Sequence, residues 1–123
     1  MKKNKFSKSL HTAILGITHS ISTERNIKIQ ILTAIFVGIL SILLKISKIE
    51  LIFILLVSFF VIISELINTS FERLIDKLSP NFDNEYGKIK DIMAGAVLLS
   101  AILALIIGFL VLSKPILYFF GGL

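Results

Sequence analysis

The 123-residue sequence contains no cysteine, which excludes disulfide bonds and any metal site built from thiolates. It also lacks the P-loop pattern GxxxxGKS/T, the dinucleotide pattern GxGxxG and the HRD motif of protein kinases. Three common signatures of soluble nucleotide-binding domains are therefore missing. Any chemistry that the chain performs has to come from residues outside these motifs.

Apolar residues are abundant instead: 55% of the chain is hydrophobic and the mean hydropathy is +0.93. Soluble domains contain about 45 to 50% apolar residues, so the composition predicts an integral membrane protein. We expect an all-α chain with one domain, residues 1–123, and three membrane-spanning helices, because three apolar runs approach the length of a bilayer. These runs cover about 29–45, 50–68 and 92–112.

The segment before the first apolar run has the pattern of an amphipathic helix, over about 5–22. Leu10, Ile14, Ile17 and Ile21 recur at i, i+4, i+7 and i+11 behind a cluster of lysines. The segment has too few apolar residues to cross a bilayer, and we predict that it lies on the membrane surface. A signal peptide is the alternative, but the segment lacks a continuous apolar core and a clear cleavage site.

The basic residues predict the orientation of the chain in the membrane. Six Lys or Arg precede the first span and four lie between spans two and three, against two in the first link and one near the C-terminus. The positive-inside rule then places the N-terminus and the 69–91 segment in the cytoplasm and the C-terminus outside. Because these residues flank apolar spans, the net charge of +5 does not indicate nucleic acid as a partner.

The sequence also predicts how the spans are linked. The link at 45–50 is short enough to force an antiparallel hairpin. In the 69–91 segment, Pro80 predicts a helix stop and 81–87 a loop of turn-forming residues. In the third span, small residues four apart predict a face for close helix packing: Ala96, Ser100, Ala104 and Gly108.

A polar stripe leaves the second span on one helix face. Glu65, Asn68, Glu72 and Asp76 lie at i, i+3, i+7 and i+11, which places them within an arc of about 80°. A carboxylate that faces hydrocarbon costs roughly 2.5 to 3.5 kcal/mol near the bilayer centre, so the stripe should face protein or water. Glu65 is predicted near the membrane boundary, within reach of a lipid headgroup.

Glu24, just before the first span, has two interpretations. Thr23 could cap the helix with Glu24 in its first turn, where the helix dipole favours a carboxylate. Alternatively, Glu24 supplies a second carboxylate for a cation beside the stripe. His11 and His19 lack a convincing third metal ligand, and we interpret both as surface residues.

Clustered carboxylates with a lysine can perform phosphoryl transfer, because Mg²⁺ needs only a few oxygen ligands. Glu24 and Glu72 suit the metal, and Glu65 suits a general base for a lipid hydroxyl. Lys90 could meet nucleotide phosphates, while Asp91 could hold ribose, lysine or metal. Each residue alone could instead belong to a solvated or snorkelling face, but the full set on one face favours a site.

The string from Glu65 to Asp76, ELINTSFERLID, followed by Lys90-Asp91 and AVLLSAI, resembles the prokaryotic diacylglycerol kinase family, which includes undecaprenol kinases. The family pattern E-x-x-N-S/T-x-x-E-x-x-x-D, with K-D before the last span, is matched without a gap. Glu24-Arg25-Asn26 resembles the ERN found before the first span, especially in undecaprenol kinases. The resemblance covers roughly residues 5–112.

The resemblance implies a homotrimer, domain-swapped, of three-span chains with a surface helix and with active sites shared between subunits. Its members transfer the γ-phosphoryl group of MgATP to a lipid hydroxyl at the cytoplasmic face of the bacterial inner membrane. The implied acceptor is undecaprenol or diacylglycerol, and the ERN string favours undecaprenol. A small proton-coupled transporter or a non-catalytic assembly protein is the alternative function, with Glu65 as an intramembrane proton carrier.

The resemblance also implies a role for each matching residue. Glu65 matches the catalytic base and contacts the substrate, and Glu24 and Glu72 match metal ligands that also contact nucleotide. Asn68 and Asp76 match other active-site positions, and Ala94 a substrate contact. The implied nucleotide contacts are completed by Lys5, Thr12, Asn81, Phe82, Asp83, Lys90 and Asp91. Two departures from the family concern the nucleotide: Thr12 stands where an aromatic residue often packs near adenine, and the residue types at 81–83 differ.

Overall fold

The computed structural model describes residues 2–122, which form four α-helices joined by short links. The helices are α1 Lys2–Thr23, α2 Arg25–Leu43, α3 Lys48–Leu78 and α4 Asn84–Gly121. The all-α prediction is confirmed, and α2, α3 and α4 are each long and apolar enough to cross a membrane. The single-domain assignment stays a prediction.

The structure of the junction between α1 and α2 contradicts one of the two interpretations of Glu24. Thr23 is the last residue of α1, and its Oγ1 donates a hydrogen bond of 2.9 Å to the carbonyl of His19. Glu24 occupies the N-cap position of α2 with extended backbone, but its side chain makes no capping bond. The capping role proposed for Thr23 is therefore wrong, because its hydroxyl belongs to the end of the preceding helix.

The face of α1 that carries Leu10, Ile14 and Ile17 is only partly covered by the other residues that the structure describes. These side chains are each about half exposed, at 53%, 50% and 47%. Their exposure leaves an apolar face available to a lipid surface. The surface position of α1 stays a prediction.

A tight link joins α2 to α3 and is shorter than the predicted 45–50. Lys45 adopts a positive φ of 52°, and α3 begins at Lys48 behind a capping box. The Ser47 Oγ accepts from the Glu50 amide at 3.2 Å, and the Glu50 carboxylate accepts from the Ser47 amide at 2.8 Å. The predicted antiparallel hairpin is confirmed, since α2 packs back along α3.

The link between α3 and α4 contains one confirmed and one wrong prediction. Helix α3 ends at Leu78, directly before Ser79 and Pro80, as the proline predicts. The loop is not 81–87, because Asp83 caps α4 by accepting from the amides of Glu85 and Tyr86, at 2.9 and 3.1 Å. The first turn of α4 therefore occupies 84–87.

Two of the helices are longer than a bilayer is thick. The 31 residues of α3 and the 38 of α4 correspond to about 46 and 57 Å, against a hydrocarbon core of about 30 Å. The predicted span 92–112 is the central part of α4, whereas the predicted span 50–68 begins close to the start of α3 and leaves its C-terminal part, 69–78, beyond the span. The polar stripe begins with Glu65 and Asn68 inside the predicted span and continues with Glu72 and Asp76 beyond it.

Few of the described side chains are buried, and more than half of those few are polar. The buried apolar residues among those described are Ile27, Ile54, Ile75 and Leu112, whereas the buried polar ones are Ser41, Glu65, Asn68, Thr69 and Ser100. Packing is most extensive between α3 and α4. On the small-residue face of α4, Ser100 is buried, Ala104 and Gly108 are half-buried, and Ala96 is exposed.

Candidate active site

The polar stripe lies on one continuous helix, as its spacing predicts. Glu65 and Asn68 are buried, at 4% and 6% exposure, Glu72 is half-buried, and Asp76 is exposed. Eleven residues separate Glu65 from Asp76, a rise of about 16 Å along α3. The stripe therefore runs from a buried carboxylate to a solvated one.

Gln30 of α2 reaches the buried end of the stripe. Its Nε2 donates a long hydrogen bond of 3.5 Å to Oε2 of Glu65. Its Oε1 and the Oδ1 of Asn68 are both buried without a hydrogen-bond partner among the described residues. Sequence reasoning missed Gln30, although a single amide within the predicted apolar run 29–45 was a usable signal.

Arg73 connects the exposed part of α3 to the junction of α1 and α2. Its Nη2 lies 2.7 Å from Oε1 of Glu24 and donates to Oγ1 of Thr23 at 2.6 Å, while its Nη1 lies 2.8 Å from Nε2 of His19. This contact places Glu24 against the residue that follows Glu72. The interpretation of Glu24 as a carboxylate beside the stripe agrees with this position.

His19 is exposed, as predicted, but it is also a partner of Arg73. The contacts of Arg73 with the end of α1 and with Glu24 were not predicted from the sequence. His11 is exposed as well.

A second ion pair joins α3 to α4 at the exposed end of the stripe. Lys90 Nζ lies 2.8 Å from Oδ1 of Asp76. The hydrogen bond to Asp76 raises the pKa of the Lys90 ammonium above its usual value, so the group is charged throughout the neutral range. The structure thus brings together two predicted site residues from different helices. Asp91, the next residue, is exposed.

The remaining predicted residues do not bond to the stripe within the described chain. Thr12 Oγ1 donates to the carbonyl of Ser9 on α1, and the Asp83 carboxylate is used as the cap of α4. Phe82 is 93% exposed in the link. The exposed members of this group are Lys5, Thr12, Asn81, Phe82, Asp83 and Ala94.

The site contains the type of donor that Mg²⁺ prefers, namely carboxylate and amide oxygens. Among residues 2–122, no group of three or more His, Asp or Glu side chains is close enough to hold a metal ion. The predicted ligands Glu24 and Glu72 offer carboxylate oxygens, and the amide Oδ1 of Asn68 on the same stripe is buried without a partner among the described residues, so the donor chemistry fits Mg²⁺ that takes further oxygens from a phosphate ligand. The metal assignment stays a prediction.

Comparison with known proteins places this chain in a family. The family described as prokaryotic diacylglycerol kinase matches residues 11–112. The chain belongs to this family. The matched region contains every predicted site residue except Lys5, and the family prediction made from the sequence is confirmed.

Two curated relatives are similar to most of this chain. The chain is 37% identical over 110 residues to a diacylglycerol kinase from Synechocystis sp., and the aligned region covers 89% of this chain and 63% of that protein. It is 36% identical over 110 residues to an undecaprenol kinase from Bacillus subtilis, and that aligned region covers 88% of each protein. The chain thus spans less than two thirds of the Synechocystis protein and most of the Bacillus one. Both names agree with the predicted enzyme class, a phosphotransferase that acts on an alcohol group.

Proposed function

We propose that this chain is a membrane lipid kinase that transfers the γ-phosphoryl group of MgATP to the hydroxyl of undecaprenol or diacylglycerol. The observation that carries the proposal is the stripe on α3, in which a buried Glu65 is followed by Glu72 and by the Asp76–Lys90 ion pair. A lipid alcohol has to be deprotonated near the membrane, whereas a nucleotide arrives from water. The stripe provides for both along one helix.

Glu65 is the proposed general base. Its carboxylate is buried, and Gln30 holds one of its two oxygens, so the other can accept the proton of the lipid hydroxyl. The alcohol oxygen then forms a bond to the γ-phosphorus, and the bond from that phosphorus to the nucleoside diphosphate breaks. Burial excludes water that would otherwise compete as the acceptor.

Glu24 and Glu72 are the proposed ligands of Mg²⁺, with Asn68 near them on the stripe. The ion would neutralise charge on the transferring phosphoryl group. Arg73 pairs with one oxygen of Glu24 and thereby limits the orientations of that carboxylate. Lys90 and Asp91 are the proposed nucleotide contacts, and Asp76 orients the Lys90 ammonium.

The other implied nucleotide contacts lie on α1 and in the link before α4. Within residues 2–122 of a single chain they have no bond to the stripe, so we propose that a homotrimer with shared sites brings them to it. The proposed orientation places the N-terminus and the α3–α4 link in the cytoplasm of a bacterium and the C-terminus outside. Membership of a kinase family favours this function over a proton-coupled transporter.

The direct test is phosphate transfer from labelled ATP by purified full-length protein in lipid-containing detergent micelles. Undecaprenol and diacylglycerol are offered in separate reactions, each with Mg²⁺ and with EDTA. Transfer to either lipid that requires Mg²⁺ supports the proposal and identifies the acceptor. Absence of transfer to both, with protein that is helical by circular dichroism, contradicts it.

Replacement of Lys90 by alanine is expected to raise the KM for ATP about tenfold or more, because a charged group that meets phosphate is lost. The KM for the lipid should change less than twofold. Lys88→Ala is a matched control two residues away, since Lys88 pairs only with Glu85 on the same helix among the described residues. Equal effects of the two substitutions, or a change confined to the lipid KM, would remove Lys90 from the nucleotide site.

A further inference from the structure

A cavity of about 530 Å³ lies between α2, α3 and α4, and Gln30 stands on its wall. The lining is otherwise almost entirely apolar, and the other side chains with polar atoms are Thr33 and Ser58. Gln30 is therefore the residue through which this apolar space meets the buried carboxylate of Glu65. A lipid alcohol whose hydroxyl reaches Glu65 would have its first carbons against this wall.

The hydrogen bonds of Gln30 are incomplete in an informative way. Its Nε2 donates to Glu65, but its Oε1 is buried with no donor among the described residues. The Oδ1 of Asn68, on the same face of α3 as Glu65, is in the same condition. Buried polar atoms in native proteins are nearly always paired, so the partnerless Oε1 of Gln30 beside a buried carboxylate indicates that a donor binds there, whereas the Oδ1 of Asn68 is available to the proposed metal. A lipid alcohol offers one donor, its O–H group.

We propose that Gln30 is a positioning residue for the acceptor alcohol, an assignment that rests on the proposed function. Its amide N–H fixes Oε2 of Glu65, and its Oε1 shares the alcohol O–H with the remaining carboxylate oxygen in the bound state. When the alcohol oxygen attacks the γ-phosphorus, the O–H bond breaks and the proton passes to Glu65, while the nucleoside diphosphate leaves. Gln30 itself neither gains nor loses a proton.

The test compares Gln30→Leu and Gln30→Asn with Ser64→Ala in the full-length protein. Leucine keeps similar bulk but neither donates nor accepts, whereas asparagine keeps the amide on a shorter side chain. Ser64 directly precedes Glu65 on α3 but does not line the cavity, and its hydroxyl bonds only to the carbonyl of Phe60 in the described chain, so alanine there removes a hydroxyl beside Glu65 without touching the bond to Gln30.

We expect Gln30→Leu to lower kcat about 10- to 100-fold and to raise the lipid KM severalfold, with the ATP KM within twofold of the unsubstituted protein. Gln30→Asn should retain more activity than Gln30→Leu, and Ser64→Ala should stay within twofold. In a Glu65→Gln background, Gln30→Leu should add less than a twofold further loss, because the two side chains act together. A merely structural role of Gln30 would lower kcat/KM for the lipid and kcat/KM for ATP alike. The loss from Gln30→Leu would then be additive with the loss from Glu65→Gln.

The assignment is overturned if Gln30→Leu keeps kcat within twofold, if it changes only the ATP KM, or if its effect is fully additive with Glu65→Gln. Gln30→Asn answers the same question if the leucine variant does not fold. If the protein transfers phosphate to lipid whichever residue occupies position 30, the role of Gln30 is contradicted but the proposed function is not. An unsubstituted protein that transfers none contradicts the proposed function, and the role of Gln30 with it.

Discussion

Replacement of Glu65 by glutamine is expected to lower the rate of phosphoryl transfer by about 10²- to 10⁴-fold, the range over which a general base contributes. Glutamine has nearly the shape of glutamate and can still accept from Gln30, so the helices should stay intact. It cannot take the alcohol proton at neutral pH. The measurement is kcat with saturating lipid and MgATP, alongside the thermal unfolding midpoint of both proteins in the same detergent.

Glu50→Gln is the matched control for this substitution. Glu50 lies on the same helix as Glu65 but at its other end, where its carboxylate belongs to the capping box with Ser47. Glutamine is accepted at that position of a capping box, so activity should remain within twofold. Equal losses from the two substitutions, or an active Glu65→Gln protein, would show that Glu65 is not the base.

Replacement of Glu72 by glutamine should raise the Mg²⁺ concentration required for half-maximal activity about 10- to 100-fold. A neutral amide binds a hard divalent cation more weakly than a carboxylate does, and few protein oxygens contribute to the proposed site. The measurement is a Mg²⁺ titration of the rate at constant free ATP. Partial recovery at high Mg²⁺ is expected, because the substitution weakens binding and leaves the base in place.

Glu85→Gln serves as the control for Glu72. Glu85 is an exposed acid at the start of α4, and its partner among the described residues is Lys88, on the same helix. Its substitution should leave the Mg²⁺ titration unchanged. If Glu72→Gln gives the same titration curve as Glu85→Gln, the metal assignment of Glu72 is wrong. Glu24→Gln is a less clean test, because it also weakens the ion pair with Arg73.

Much of the fold follows from local features of the sequence. The apolar runs predicted three helices, and Pro80 predicted the end of α3. The loop at 81–87 was placed too far along, because the composition of NFDNEYG suggests a turn, whereas Asp83 satisfies the amides that start α4. In a sequence, a capping aspartate cannot be distinguished from a loop aspartate until the backbone amides that donate to its carboxylate are known.

The site was predictable where its residues share one helix, and not where helices meet. Spacing alone placed Glu65, Asn68, Glu72 and Asp76 on one face, since helical periodicity is fixed. The contacts of Gln30 and Arg73 depend instead on how α2 and the end of α1 approach α3, which depends on helix crossing and on the turn at Glu24. The pairing of Asp76 with Lys90 depends likewise on the link at 79–83.

The direction of α3 has a consequence for how this enzyme should be assayed. The helix continues past Glu65 for about 20 Å, and the proposed membrane position puts the proposed base at the lipid layer and the proposed nucleotide contacts in water. The two substrates are then present in different phases. The rate follows the mole fraction of lipid acceptor within each micelle or vesicle, whereas ATP acts through its concentration in the bulk solution. Adding more vesicles of the same composition changes the total lipid but not the surface density that each enzyme molecule encounters.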